Sequence, residues 1–190
     1  MKNLYLLLFA AILFGCNQPA PVKEVDPRPK AQLELIEQLN EADSVSNAQA
    51  NDIAKQEMID SGRVKVSNFI LNKLNGRADK WEAIIYSIKD GILGGEIELM
   101  FPNGAGYEEG EKYPQFESVV LTNSMLSDEM KGKIKTLAKN DKVLVTGTFD
   151  KNIVGDIVFN DFSMSSSATP FGNPEFIFTI DDIKKIEPKQ

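Results

Sequence analysis

Residues 137–149 read LAKNDKVLVTGTF, and this stretch decides the fold. In its last eight residues, KVLVTGTF, the apolar Val143, Val145 and Phe149 are separated by even numbers of positions, which predicts a β-strand that carries all three on one side. The pair Asn140-Asp141 predicts the turn that precedes the strand. Gly147 lies inside the strand and predicts a bulge or a bend there, because a glycine has no side chain to pack.

A helix is predicted directly before this stretch. Ser127 is a suitable N-cap, and two acidic residues follow it in the first turn, where negative charge is favourable. Met130, Ile134 and Leu137 recur with the i, i+4, i+7 spacing of a helix face. We therefore expect about three turns of helix before residue 140.

Four further strands are predicted around this unit. Residues 80–88 (KWEAIIYSI) and 96–101 (EIELMF) form a plausible hairpin, with Asp90-Gly91 and Gly94-Gly95 supplying turn chemistry between them. Residues 117–121 (ESVVL) predict a third strand and residues 175–186 (EFIFTIDDIKKI) a last one. The predicted order is therefore three strands, a helix and two strands.

This order resembles the OB-fold, a small five-stranded Greek-key barrel with a helix between its third and fourth strands. The resemblance covers about residues 68–187, and residues 137–149 and the strand with Trp81 look like the tRNA-anti-like OB-fold proteins of bacterial envelopes. It implies a mainly β, α+β domain, which we place at residues 63–190. It supplies no catalytic motif. The alternative is another small β-rich α+β domain.

The segment before the barrel predicts helices. Leu35, Ile36 and Leu39 have helical spacing, and the cap-type residues 43–47 (DSVSN) predict an interruption. A second helix, capped by Ser46 or Asn47, is expected to run to about residue 60 and to stop at Gly62. We expect residues 31–62 to pack on their own domain; an amphipathic partner role is the alternative.

The first sixteen residues, MKNLYLLLFAAILFGC, have the order of an export signal. A single Lys2 precedes an apolar run, too short to span a bilayer comfortably, and a small residue then precedes Cys16. The last four residues, LFGC, resemble the lipobox of bacterial lipoproteins. That resemblance implies removal of residues 1–15 and acylation of Cys16, including palmitate. The alternative is an ordinary signal peptide with a chance cysteine.

The expected location is therefore the bacterial cell envelope, with the membrane bound through lipid on Cys16. In lipoprotein sorting of the enterobacterial kind, a residue other than aspartate after the acylated cysteine implies delivery to the outer membrane. Because Asn17 follows Cys16, the outer membrane is favoured if the source is Gram-negative. Residues 16–30 contain four prolines, which favour an extended tether between the lipid and the domain.

Composition excludes several kinds of chemistry. The chain has no histidine and one cysteine, so an internal disulfide, a Ser-His-Asp triad and the common zinc sites are excluded. The formal net charge is -7, and near -8 without Lys2, which disfavours nucleic acid as a partner. No cofactor is expected.

Candidate sites are few. The candidate ligand contacts are Trp81, Tyr107 and Tyr113, with the loop 102–114; for Trp81 a core position is favoured over an exposed one. Residues 108–111 and 150–156 are acidic but lack the spacing of a calcium loop, so solvated loops are expected. Nothing singles out Asp181-Asp182 or another carboxylate pair as an acid and a base.

The function expected from these features is a non-enzymatic binding or interaction module with an envelope protein or glycan as its partner. This expectation rests on analogy of fold. Two alternatives remain: an envelope enzyme that uses carboxylates, and a structural or exclusion lipoprotein that blocks a receptor.

Overall fold

The structure is a computed structural model that describes residues 26–90, 95–103, 118–159 and 169–187. Its elements in chain order are α1 (Lys30–Asn47), α2 (Asp52–Asn68), a π-helical turn (Phe69–Lys73), β1 (Arg77–Lys89), β2 (Glu96–Pro102), β3 (Ser118–Asn123), α3 (Asp128–Ile134), β4 (Lys142–Phe149) and β5 (Glu175–Lys185). Within those ranges, no helix combines the length and apolar character that crossing a lipid bilayer requires.

The five strands form a closed barrel in the order β1-β2-β3-β5-β4. Neighbouring strands are antiparallel except β3 and β5, which pair in parallel over Val120–Thr122 and Glu175–Ile177. The helix α3 lies between the third and fourth strands of the chain. The predicted fold class, a mainly β, OB-like barrel preceded by a helical segment, is confirmed.

Aromatic rings fill the barrel. Trp81 is 1% exposed and meets Phe101 and Phe149 edge to face, at centroid distances of 5.9 and 5.7 Å. Phe149 also meets Phe176 and Phe178 at 5.4 and 5.2 Å. These edge-to-face contacts stabilise the fold beyond the burial of apolar area alone. They join side chains of β1, β2, β4 and β5 in one aromatic cluster.

Bulges let β1 pair with two neighbours. Its first half pairs with β4 and its second half with β2, and the register shifts between Ala78 and Trp81 and again between Ile85 and Ser87. Lys80 has a positive φ of 53° at the first shift. Each bulge bends the strand and increases its twist, so one long strand curves enough to close a small barrel.

The helices depart from the predicted bounds. The α1 helix continues through residues 43–47, so the predicted interruption was wrong, and Asn51, whose side chain accepts from the Ala54 N–H, caps α2. The α2 helix passes Gly62 and ends at Asn68. A glycine is needed at position 62 for packing, because a Cβ there would lie 2.7 Å from the Phe171 ring.

The helix α3 is shorter than predicted. It covers seven residues and about two turns, with Ser127 as the N-cap as expected, and Leu137 lies beyond its end. The chain then turns through Asn140, which has a positive φ of 74°. The Asp141 carboxylate accepts a hydrogen bond from the Ala138 N–H and holds this turn.

Polar side chains of the N-terminal segment bond to the barrel backbone. Extending the β1–β2 register by two residues would set Glu82 opposite Pro102, which has no N–H to donate. The fully buried Gln32 side-chain amide bonds to the Glu82 backbone in place of a β2 residue. It accepts from the Glu82 N–H at 3.0 Å and donates to the Glu82 carbonyl at 2.7 Å. The Arg28 guanidinium donates to the Pro102 carbonyl at 2.8 Å.

The two ends of the barrel differ. We call the first the entry end: β1, β3 and β5 start there, and β2 and β4 finish there. The pairings that show this are Arg77↔Thr148, Pro102↔Ser118 and Val120↔Glu175. The N-terminal segment reaches the barrel at this end, through Arg28. The opposite end carries α3, and we call it the α3 end.

Candidate functional site

Only one predicted ligand contact lies within the described residues. Trp81 is 1% exposed, so its ring fills the barrel core, which is the favoured expectation, and it is not a contact on the surface. Tyr107, Tyr113 and Cys16 lie outside the described residues, as does the acidic cluster at 108–111.

A groove lies at the α3 end, between the second half of β1 and the segment that runs from α3 into β4. Its volume is about 420 Å³. The lining residues are Tyr86, Ser87, Ile88, Ile134, Lys135, Leu137, Ala138 and Lys139. The floor is therefore largely apolar, and two lysines contribute the charge.

Tyr86, which lies at the second bulge of β1, supplies the aromatic ring of the groove. Opposite β2, Ile85 pairs with Leu99 and Ser87 with Glu98, which leaves Tyr86 as the extra residue. Tyr86 is 45% exposed, on the side of β1 opposite the buried Trp81, Ala83 and Ile85, and Ile88 is 38% exposed near the end of the strand.

The turn after α3 fixes the other wall of the groove. Backbone bonds join the Asn140 N–H to the Ile85 carbonyl at 2.8 Å and the Ile85 N–H to the Asp141 carbonyl at 3.0 Å. The Lys139 ammonium then lies 5.0 Å from the centre of the Tyr86 ring, which is a cation–π contact. The hydrogen bond from Lys185 lowers the pKa of Asp141, so this turn is held by an ionised carboxylate.

Beside the groove, charged side chains of β1 and β2 form a network of ion pairs. The Lys89 ammonium lies 3.1 Å from Glu98 and 3.6 Å from Glu96. Burial alone would raise the pKa of Glu98, but hydrogen bonds from Ser87 and Lys89 outweigh it and leave that pKa lowered. The hydrogen bond to Glu98 raises the pKa of Lys89. Both groups therefore stay charged at neutral pH.

Two neighbouring carboxylates of β5 pair with cations. Asp181 lies 2.8 Å from Arg77, and Asp182 lies 2.8 Å from Lys133. The hydrogen bond from Lys133 lowers the pKa of Asp182, whereas a general acid needs a raised one. Among the residues that the structure describes, no group of three or more cysteine, aspartate or glutamate side chains is placed to hold a metal ion.

Sequence patterns alone could not single out this groove. Residues 83–88 read AIIYSI, and so many apolar residues in succession hide which side each one faces. The groove forms only where the turn after α3 approaches this end of β1, through the backbone bonds of Ile85 with Asn140 and Asp141. No protein-family model matches this chain, and no curated protein matches it.

Proposed function

We propose that this protein is a lipid-anchored binding module of the bacterial cell envelope that takes a segment of another envelope protein into the groove of Tyr86, Ile88 and Leu137. The observation that carries the proposal is this groove, where an exposed aromatic and an exposed aliphatic side chain of β1 lie beside two lysines. The partner segment has an apolar side chain flanked by carboxylates.

The lining supports this ligand chemistry. Burying an apolar side chain against Ile88, Ile134 and Leu137 supplies affinity through the hydrophobic effect. Lys135 and Lys139 supply positive charge on a chain of formal net charge -7, so they favour carboxylates at this one place. A phosphate-rich nucleic acid would meet repulsion from the rest of the surface.

The non-enzymatic part of the proposal is supported by the state of two carboxylates, Asp182 and Glu98. Asp182 and Glu98 have lowered pKa values and lie against lysines, as structural ion pairs do. The anchoring part is supported by the lipobox-like residues 13–16 and by the proline-rich residues that follow them.

The experiment replaces Tyr86 with the photoreactive aromatic residue p-benzoylphenylalanine in the source bacterium. Irradiation of intact cells is expected to give a discrete adduct with one envelope protein. Lys135→Glu in the same chain should remove the adduct, because a reversed charge repels the partner's carboxylates. Lys184→Glu, a matched reversal of an exposed lysine outside the groove lining, should leave it.

Affinity measured with the purified partner then gives the size of the effect. We expect Lys135→Glu to weaken binding about tenfold, as reversal of one charge at a partly exposed interface does. An adduct that survives Lys135→Glu, or binding that both lysine variants weaken equally, would refute the groove as the binding site.

A further inference from the structure

We propose that the turn at residues 150–157 is a second membrane contact, in which Ile153 and Val154 enter the lipid surface beside the anchor on Cys16. The inference rests on the lipid anchor of the proposed function. It extends that function by stating which face of the domain meets the membrane.

The turn presents two adjacent aliphatic side chains to solvent. Ile153 is 104% exposed and Val154 is 75% exposed. Scattered single apolar residues on a surface are ordinary, but two neighbours at the tip of a projecting turn form a compact apolar tip. Within the described residues, no other exposed large apolar side chain reaches the exposure of Ile153.

The tip is held rigidly. The Asn152 carboxamide oxygen accepts from the Val154 and Asp156 N–H groups at 3.0 and 2.9 Å, and the Asn152 N–H donates to the Asp156 carbonyl at 2.9 Å. Lys151 and Ile157 form a β-bridge below the tip. Because the turn is ordered by its own bonds, little conformational entropy remains to be lost when the tip enters lipid.

The tip lies at the end of the barrel where the N-terminal segment arrives. The turn follows β4, whose last residue Phe149 pairs with Phe178 near the start of β5, at the entry end. Arg28 contacts Pro102 at the same end. Ten residues, 16–25, separate the anchor from the described fold, and they reach at most about 35 Å when fully extended.

That reach favours one orientation of the domain. A globular domain of this size has a radius of gyration of about 15 Å, so the α3 end can face the lipid only if the tether runs along the whole domain. The entry end, with Ile153 and Val154, is the face that a short tether holds against the membrane. The charged residues that flank the tip are two carboxylates and one ammonium, Asp150, Asp156 and Lys151, so anionic lipid does not attract it and uncharged lipid is the surface that it suits.

The test uses the acylated protein, produced with its own signal and reconstituted into phosphatidylcholine vesicles whose acyl chains carry bromine. The chain has one tryptophan, the buried Trp81, which the bromines cannot reach. Ile153→Trp adds a second ring at the tip, and its fluorescence should fall by about twofold on brominated vesicles, because an inserted apolar residue lies at the acyl boundary. Val154→Trp should show a similar fall in fluorescence on brominated vesicles.

Met125→Trp is the matched control. Met125 is 72% exposed and follows β3 at the α3 end, so its ring should remain in water and keep its fluorescence. Equal quenching at positions 125 and 153, or none at 153 and 154, would overturn the proposal. Mass spectrometry of the same sample reports the acyl groups on Cys16, which separates failure of the anchor from failure of the tip.

Discussion

At the scale of single residues, Gly147 shows why the barrel needs a glycine inside a strand. The β4–β5 register shifts between Thr146 and Gly147. A Cβ at this position would lie well inside van der Waals contact of the Thr179 carbonyl oxygen and the Phe178 ring. The close approach of β5 brings Phe178 to the Phe149 ring in the core.

Gly147→Ala should therefore destabilise the protein by about 2 kcal/mol, because an added methyl group must displace backbone or an aromatic ring in a packed core. Denaturant unfolding measured by Trp81 fluorescence checks this. Gly132→Ala is the control: nothing lies within 4 Å of a Cβ there, and alanine is the better helix former, so stability should stay the same or rise by up to about 1 kcal/mol. Equal effects of the two alanines would contradict the packing argument.

At the scale of elements, local patterns predict the strands well. The alternation in residues 142–149 predicts β4 with the bounds that the structure has, and the other four strands lie within a few residues of their predicted bounds. Apolar residues at alternate positions identify the strands because one face of each strand packs into the barrel and the other faces water.

The helix bounds and the groove could not be predicted in this way. Gly62 carries the sequence signal of a helix end, but its contact is Phe171, far along the chain. The groove exists only because the turn at Asn140 and Asp141 bonds to the backbone of Ile85. Both depend on tertiary contacts between distant segments, which no local pattern contains.

The contact of α1 with β1 predicts that the helical segment and the barrel unfold together. Leu35 and Leu39 are fully buried in the same apolar cluster as the barrel residues. Gln32→Ala removes both bonds to Glu82 and leaves the part-buried N–H and carbonyl of that residue without the amide, which costs about 2 kcal/mol. Circular dichroism and Trp81 fluorescence should report one shared transition at lower denaturant concentration.

Gln56→Ala is the matched control for that variant. Gln56 is exposed on α2 and bonds only to the exposed Asp60 among the described residues, so its loss should change the free energy of unfolding by less than about 0.5 kcal/mol. If Gln32→Ala were equally neutral, the amide would not be stabilising the edge of β1. Two separate transitions would show that the helices fold apart from the barrel.

At the scale of the whole molecule, the proposed functions lie at opposite ends of the barrel. The groove lies at the α3 end, where the turn from α3 approaches Ile85. The N-terminal segment and the tip of Ile153 lie at the entry end. A protein anchored at the entry end would hold the groove away from the lipid, where another envelope protein can reach it.

This arrangement depends on Cys16 as the attachment point. Because the chain has one cysteine, acylation through sulfur has a single available position. Each buried CH₂ of an acyl chain contributes about 0.8 kcal/mol, so two or three chains hold a protein at a membrane whereas exposed residues at one tip do not. Cys16→Ser should therefore move most of the protein from the membrane fraction to the soluble fraction and abolish incorporation of labelled palmitate.

Asn17→Ser, which changes the neighbouring residue and keeps the thiol, should remain membrane-bound and labelled. Retention of Cys16→Ser at the membrane together with palmitate would place the lipid elsewhere. Mass spectrometry of the unsubstituted protein from its own envelope gives a direct second measurement, since an acylated Cys16 at the amino terminus is expected. An unmodified thiol there would remove the anchor, and the entry end would then have no reason to face the membrane.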